Sequence, residues 1–236
     1  MSIQLPKRFW TSASVEESTS GFSLVLDGKP LKTPAKVPFV VPTQKLAQAV
    51  ADEWNALDEK IDPTLLPLTK LSNAAIDNMA EKAGAVVDAL AEYGETDLLC
   101  YRAESPEGLV LRQSEAWDPL LEWVRDEHGI FFVQTTGILP VEQPAASILS
   151  LRKWLEEMDK FQLMACHDLV MLSGSIIIAR AVVEGQITAD LGWETSILDD
   201  IWQSEKWGDD EDANALRAVK GRDFSIAAQM MEYLRD

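Results

Sequence analysis

The hydrophobic period of this chain changes at Pro42, and no other feature constrains the fold as much. Ahead of that point Phe22-Ser23-Leu24-Val25-Leu26 alternates and runs into Asp27-Gly28, a strong hairpin signal, before Pro30-Leu31-Lys32-Thr33. Val37-Pro38-Phe39-Val40-Val41 predicts another short strand, placed at an edge or a bulge because Pro38 cannot donate to a ladder. After Pro42 the period becomes helical. Thr43 is positioned to cap a helix in which Leu46, Val50, Trp54 and Leu57 recur at spacings of four, four and three. Further helices are expected near 68–79, 82–93, 96–101, 112–128, 145–158, 160–184, 194–206 and 212–235. A candidate break lies at Asp118-Pro119, where Asp would cap and Pro would take the first helical position. Phe131-Phe132-Val133-Gln134-Thr135, between Gly129 and Gly137, is a candidate late strand. The expected class is α+β, with a small β-rich N-terminal domain over 1–42 and a larger all-helical C-terminal domain over 43–236.

Charge follows a similar division. Residues 1–45 hold six Lys/Arg and three Asp/Glu, whereas 46–236 hold 15 and 36. With 236 residues and 47% hydrophobic content, the chain can bury a sizeable core. Its net charge of -18 repels nucleic acid and anionic membranes alike. The most apolar stretch, Phe161 to Val183, is interrupted by His167, Asp168 and Arg180. Its charge-free core, Leu169 to Ala179, falls short of the roughly 20 residues a bilayer span requires, so membrane insertion is not expected. Cys100 and Cys166 sit in apolar helical contexts, as expected of free buried thiols in a reducing compartment. Met1 to Arg8 has neither an apolar leader core nor an Arg-rich presequence, which predicts a protein that acts where it is made.

Reactive groups are sparse. The two histidines, His128 and His167, have no Cys or His partner at zinc spacing, so no metal is expected. His128 precedes Gly129 and is expected to serve a helix end. His167 beside Asp168 could act as a base, although a structural hydrogen-bonded histidine is the plainer reading. Ser173-Gly174-Ser175 lacks the flanking glycines of a nucleophile elbow, and its small residues suit close helix approach. Neither glycine-rich phosphate loop is present, so no cofactor and no direct nucleotide binding are expected. The paired acids, including Glu156-Glu157 and Asp209-Asp210-Glu211-Asp212, diverge by about 100° when helical and suit a solvated face. No catalytic residue is assigned.

One segment stands apart. From Asp190 to Asp212 there are nine acids, one base (Lys206) and three of the eight tryptophans, Trp193, Trp202 and Trp207. On a helix, Asp200, Gln203, Trp207 and Glu211 would form one polar-aromatic stripe, with Leu198 and Trp202 on another face. The segment reads either as an ordinary amphipathic helix with buried Trp or as a protein-binding surface built on Trp anchors. Trp54 lies on the apolar stripe of its helix and is expected in the core. Trp117 and Trp123 do not share a helical line, so one of the two is expected at the surface.

In order along the chain, Arg8-Phe9-Trp10, Leu26 to Pro34, Val41-Pro42-Thr43, Glu53-Trp54, Pro67 to Leu71, Ala75-Ile76-Asp77, Thr96 to Ala103, Trp117 to Leu120 and Leu198 to Gly208 resemble the assembly chaperones of the F-type ATP synthase alpha subunit. Asp27, Gly28, Trp54, Trp117 and Trp202 belong to these matching segments. The resemblance implies a chaperone, not an enzyme, that shields free alpha subunit from aggregation until beta subunit replaces it. It implies a cytoplasmic location in bacteria and a mitochondrial matrix location in eukaryotes. It also implies a functional acid in the C-terminal helical region, where Asp200 and Glu211 fall. Relatives often carry Asp-Glu where this chain has Asp199-Asp200. Two alternatives stay open: a small hydrolase using Ser175, His167 and Asp168, and a general acidic scaffold for basic proteins.

Overall fold

The computed structural model describes residues 5–137 and 139–235. It divides into two compact units: residues up to Lys82 with Asp159–Ala165 and Gln229 onward, and Ala83–Met158 with Cys166–Ala228.

The first unit is built on β2 (Gly21–Leu26), which pairs antiparallel with β1 (Ala13–Ser18) on one edge. On its other edge it meets β3 (Lys29–Pro30) and then β4 (Val40–Val41), at successive positions. The β2–β3 turn is the expected Asp27-Gly28 hairpin, with φ of 47° and 76°, the pairing of signs that matches strand twist. The Asp27 carboxylate also accepts the Thr11 and Ser12 amides, and these bonds hold it below the usual carboxylate range. Gly21 has no room for a side chain, because a Cβ would lie 2.4 Å from the Val41 carbonyl oxygen. The strand near 37–41 shortens to Val40–Val41, and Pro38 makes an isolated bridge to Lys32, as suits a residue without an amide proton. β1 was not legible, since its pattern Ser14-Val15-Glu16-Glu17 carries little apolar alternation.

Helix α1 (Gln44–Ala56) covers this sheet with Leu46, Ala47, Val50, Ala51 and Trp54 buried. Thr43 caps it by accepting the Leu46 amide and donates its own hydroxyl to the Tyr233 carbonyl. The period change at Pro42 thus falls inside the first unit. Trp54 is in the core as expected, with its indole N–H donating to Thr69 Oγ1 at 3.0 Å and its ring 4.9 Å from Trp10. Glu53 beside it accepts the Leu68 and Thr69 amides at the start of α2 (Pro67–Ala74). The helices expected at 68–79 and 82–93 are one run, α2 passing through a π-helical turn (Ala75–Met79) into α3 (Ala80–Glu92).

The second unit is helical around a short parallel pair, β5 (Tyr101–Arg102) with β6 (Thr135–Thr136). Several expectations are corrected here. The helix near 96–101 is a single 3-10 turn, Leu98–Cys100, followed by β5. α4 (Glu107–His128) does not break at Asp118-Pro119, because Asp118 pairs with Arg102 at 2.8 Å in place of capping. The strand near 131–135 is reduced to β6: Phe131 and Val133 exchange their backbone hydrogen bonds with the Ser147 hydroxyl and the Gln143 amide instead of a ladder. α5 (Ala145–Glu156) follows as expected. The long helix over 160–184 is divided into α6 (Lys160–Ser173) and α7 (Ile176–Val183) at Gly174, whose φ is 69°. Ser173-Gly174-Ser175 therefore ends one helix and starts the next. The helix over 194–206 is likewise two, α8 (Ala189–Ser196) and α9 (Leu198–Trp207), and α10 (Glu211–Tyr233) follows. Trp117 is fully buried and donates to the Thr195 carbonyl, while Trp123 is half-buried against His128. Cys100 and Cys166 are buried free thiols, and burial pushes Cys166 up to about 12.

Candidate functional site

Helices α9 and α10 are joined by only Gly208, Asp209 and Asp210, and a groove of ≈ 480 Å³ lies along them. Each helix turns one stripe to it, at positions i, i+3, i+4 and i+7: Asp200, Gln203, Ser204 and Trp207 from α9, and Ala213, Leu216, Arg217 and Lys220 from α10. Trp207 is 79% exposed and Leu216 57%. An indole left this far in solvent contributes little to the core and keeps most of its apolar area available for contact.

The expected stripe is realised through its first three members. Asp200, Gln203 and Trp207 line the groove, whereas Glu211 does not, because α9 ends at Trp207 and Glu211 begins the next helix. The acid brought to the groove there is Asp210, and its carboxylate is committed to the α10 N-terminus, accepting the Asp212 and Ala213 amides. The adjacent acids Asp199 and Asp200 diverge in role. Asp199 is half-buried and accepts from Gln113 at 2.8 Å, while Asp200 is exposed and has neither hydrogen bond nor ion pair among the described residues. The tryptophans divide in the same way. Trp202 packs on Gly108, where a Cβ would lie 2.8 Å from its ring, and carries the Lys206 ammonium 4.7 Å above its ring centre. Trp193 packs against Phe224 with ring centres 5.8 Å apart. Trp207 alone of the three is mostly solvent-exposed.

Sequence reasoning missed the opposite wall. Arg217 and Lys220 bring two cations to a groove expected to be acidic, and Arg217 Nη2 donates to Ser204 Oγ at 3.3 Å. Their signal was present as the Ala213-Leu216-Arg217-Lys220 spacing, but the count of acids from 190 to 212 stopped just short of it.

The groups of the alternative hydrolase reading are committed elsewhere. Ser175 is fully buried, caps α7 by accepting the Ile178 amide, and donates its hydroxyl to Asp97. His167 pairs through Nδ1 with its neighbour Asp168 at 2.9 Å. Neither residue lines the α9–α10 groove. His128 is the last residue of α4, but the left-handed Gly129 provides the cap; the imidazole instead bridges Arg180 and Glu184, at 2.9 and 2.8 Å. Among the described residues, no cluster of His, Cys, Asp or Glu is arranged to hold a metal ion, and no helix is long and apolar enough to cross a membrane.

An exposed indole, apolar side chains and charges that form no ion pair among the described residues, converging on one groove, form a surface suited to holding another protein. Residues 7–125 match the family model of the ATP12 chaperone protein, and the chain belongs to that family of ATP synthase assembly chaperones. It is 28% identical over 222 residues to Protein atp12, mitochondrial, of Schizosaccharomyces pombe, covering 89% of this chain and 76% of that one. Among solved structures it is similar to Atp12 from Paracoccus denitrificans, with 41% identity, 97% of this chain and 98% of that chain covered, and a TM-score of 0.94. An Asp-to-Lys variant of the Paracoccus protein matches with the same figures. The Atu1473 protein of Agrobacterium tumefaciens matches at 39% identity, covering 98% of this chain and 87% of that one, with a TM-score of 0.94.

Proposed function

We propose that this chaperone binds the unassembled alpha subunit of the ATP synthase catalytic head, prevents its aggregation and yields it to beta subunit, using the α9–α10 groove as its contact. It works in the compartment where the head assembles, the cytoplasm of a bacterium or the mitochondrial matrix. The observation that carries the reading is Trp207, 79% exposed beside the unpartnered Asp200 on a groove with an apolar component. Surface normally buried between ring subunits is large and aggregation-prone until its partner arrives. An exposed aromatic anchor competes for such surface, and neighbouring charges set register and exclude wrong partners. Release then requires only that the alpha–beta contact be the stronger one.

The test is retention of isolated alpha subunit, in parallel with isolated beta, on the immobilised protein, together with suppression of alpha-subunit light scattering. Alpha should be retained and beta should not, and Trp207→Ala should lower alpha-subunit affinity by about 2 kcal/mol or more, as truncating an interface anchor does. Because Trp207 is almost free of internal packing, the variant should unfold with the wild type. Retention of beta, or full alpha binding by Trp207→Ala, would remove the reading.

A further inference from the structure

The two walls of the groove carry opposite charge, and the chain's own composition makes this informative. Acids outnumber Lys and Arg by 39 to 21, so an exposed cation has carboxylates in excess from which to draw a partner. Arg102, Arg112, Arg125, Arg152, Arg180 and Arg222 each pair with at least one, whereas among the described residues no lysine does. Arg217 and Lys220 do not: among the described residues neither is joined to a carboxylate, and the sole polar contact of Arg217 is the Ser204 hydroxyl at 3.3 Å. Asp200, on the facing stripe of the same groove, is equally without a partner. Asp210 is held as the α10 cap, which leaves one free acid and two cations lining the groove. Trp207 and Leu216, both exposed, line the same groove, so charged and apolar side chains share it.

From this we infer that the groove selects a client segment of mixed charge, with apolar side chains for Trp207 and Leu216, a basic side chain for Asp200 and a carboxylate for Arg217 and Lys220. This rests on the groove being the client contact and adds the polarity of what it holds. A purely basic segment would satisfy Asp200 while placing its remaining cations against Arg217 and Lys220, and like charges brought together on docking discriminate strongly against a partner. A purely acidic segment meets the same obstacle at Asp200.

The experiment is an affinity series against purified alpha subunit in low salt, using wild type, Asp200→Lys, Lys220→Glu, Arg217→Glu with Lys220→Glu, and Trp207→Ala. Lys220 is exposed and makes no internal bond, so Lys220→Glu tests the inference without risk to the fold, and matching unfolding midpoints check the others. Lys220→Glu should weaken binding about tenfold and the double reversal further, comparable to Asp200→Lys. If Asp200→Lys and Trp207→Ala weaken binding while both cation reversals leave it unchanged or tighten it, the segment is basic and the inference falls, with the groove still the site. If none of the variants changes affinity, the groove is not the client contact and both readings fall.

Discussion

Asp97 is a buried carboxylate that ties together two distant segments of the second unit. It is fully buried between two 3-10 turns (Tyr93–Glu95 and Leu98–Cys100), where its carboxylate accepts the Leu99 and Ile177 amides and the Ser175 hydroxyl. Burial pushes its pKa up to about 6, although the hydrogen bonds of Leu99, Ser175 and Ile177 pull the other way. The folded protein therefore holds this proton more tightly than the unfolded chain, whose value is the ordinary 3.8. Its contribution to stability is complete below that value and is lost as pH rises through about 6, amounting to about 3 kcal/mol. Asp97→Asn cannot titrate and turns an amide NH₂ toward groups that already donate, so it should cost about 1–3 kcal/mol at pH 5. Urea unfolding of both proteins from pH 7 to pH 4.5 should show the wild type gaining on the variant as pH falls; a constant difference would exclude the titration. Nothing in Thr96-Asp97-Leu98 announces this role, because Leu99 is its one near partner while Ser175 and Ile177 lie about eighty positions away, and sequence shows spacing but not long-range closure. Trp54 was legible for the converse reason: its burial follows from the helical stripe on which it sits.

At the scale of elements, what the sequence revealed was whatever local chemistry decides. The Asp27-Gly28 hairpin, the Thr43 cap and the helical stripes are fixed by backbone preference and period. The misread elements differ in cause: Asp118 is engaged by Arg102 from a distant segment in a helix that runs through Pro119, whereas 160–184 becomes two helices through the left-handed Gly174 and the Ser175 cap. The groove falls between these cases. Its α9 stripe was visible within one helix, while its α10 wall required knowing that the chain turns back at Gly208–Asp210. Two substitutions test the tertiary devices. Leu66, preceding α2, provides no side-chain cap, and Glu53 from α1 takes its place at the Leu68 and Thr69 amides. Glu53→Ala should lower the unfolding free energy by about 1–2 kcal/mol, the usual loss of a helix cap, by chemical denaturation. Gly174→Ala meets no atom within 4 Å, so only its left-handed φ of 69° is strained. It should cost about 1 kcal/mol, and an unchanged midpoint would show that the α6–α7 junction relaxes around it.

For the molecule as a whole, the proposed function assigns approach to the net charge of -18 and retention to the groove. A long-range field acts on the rate at which partners meet, and salt screens it over about 8 Å at physiological ionic strength. Contacts that exclude water, such as those of an anchored indole, act on the rate at which partners separate and resist salt. A chaperone working through Trp207 should therefore show two separable behaviours with alpha subunit. Raising NaCl from about 50 to about 500 mM should slow association by about tenfold while dissociation stays nearly constant, and the complex should survive. Trp207→Ala should do the opposite, leaving association and its salt slope unchanged and speeding dissociation by about thirtyfold or more, the kinetic counterpart of losing about 2 kcal/mol of anchor contact. Stopped-flow or surface-plasmon measurements resolve the two rates. An acidic scaffold that held basic proteins by charge alone would instead lose its complex by about 0.15 M salt and remain indifferent to Trp207→Ala.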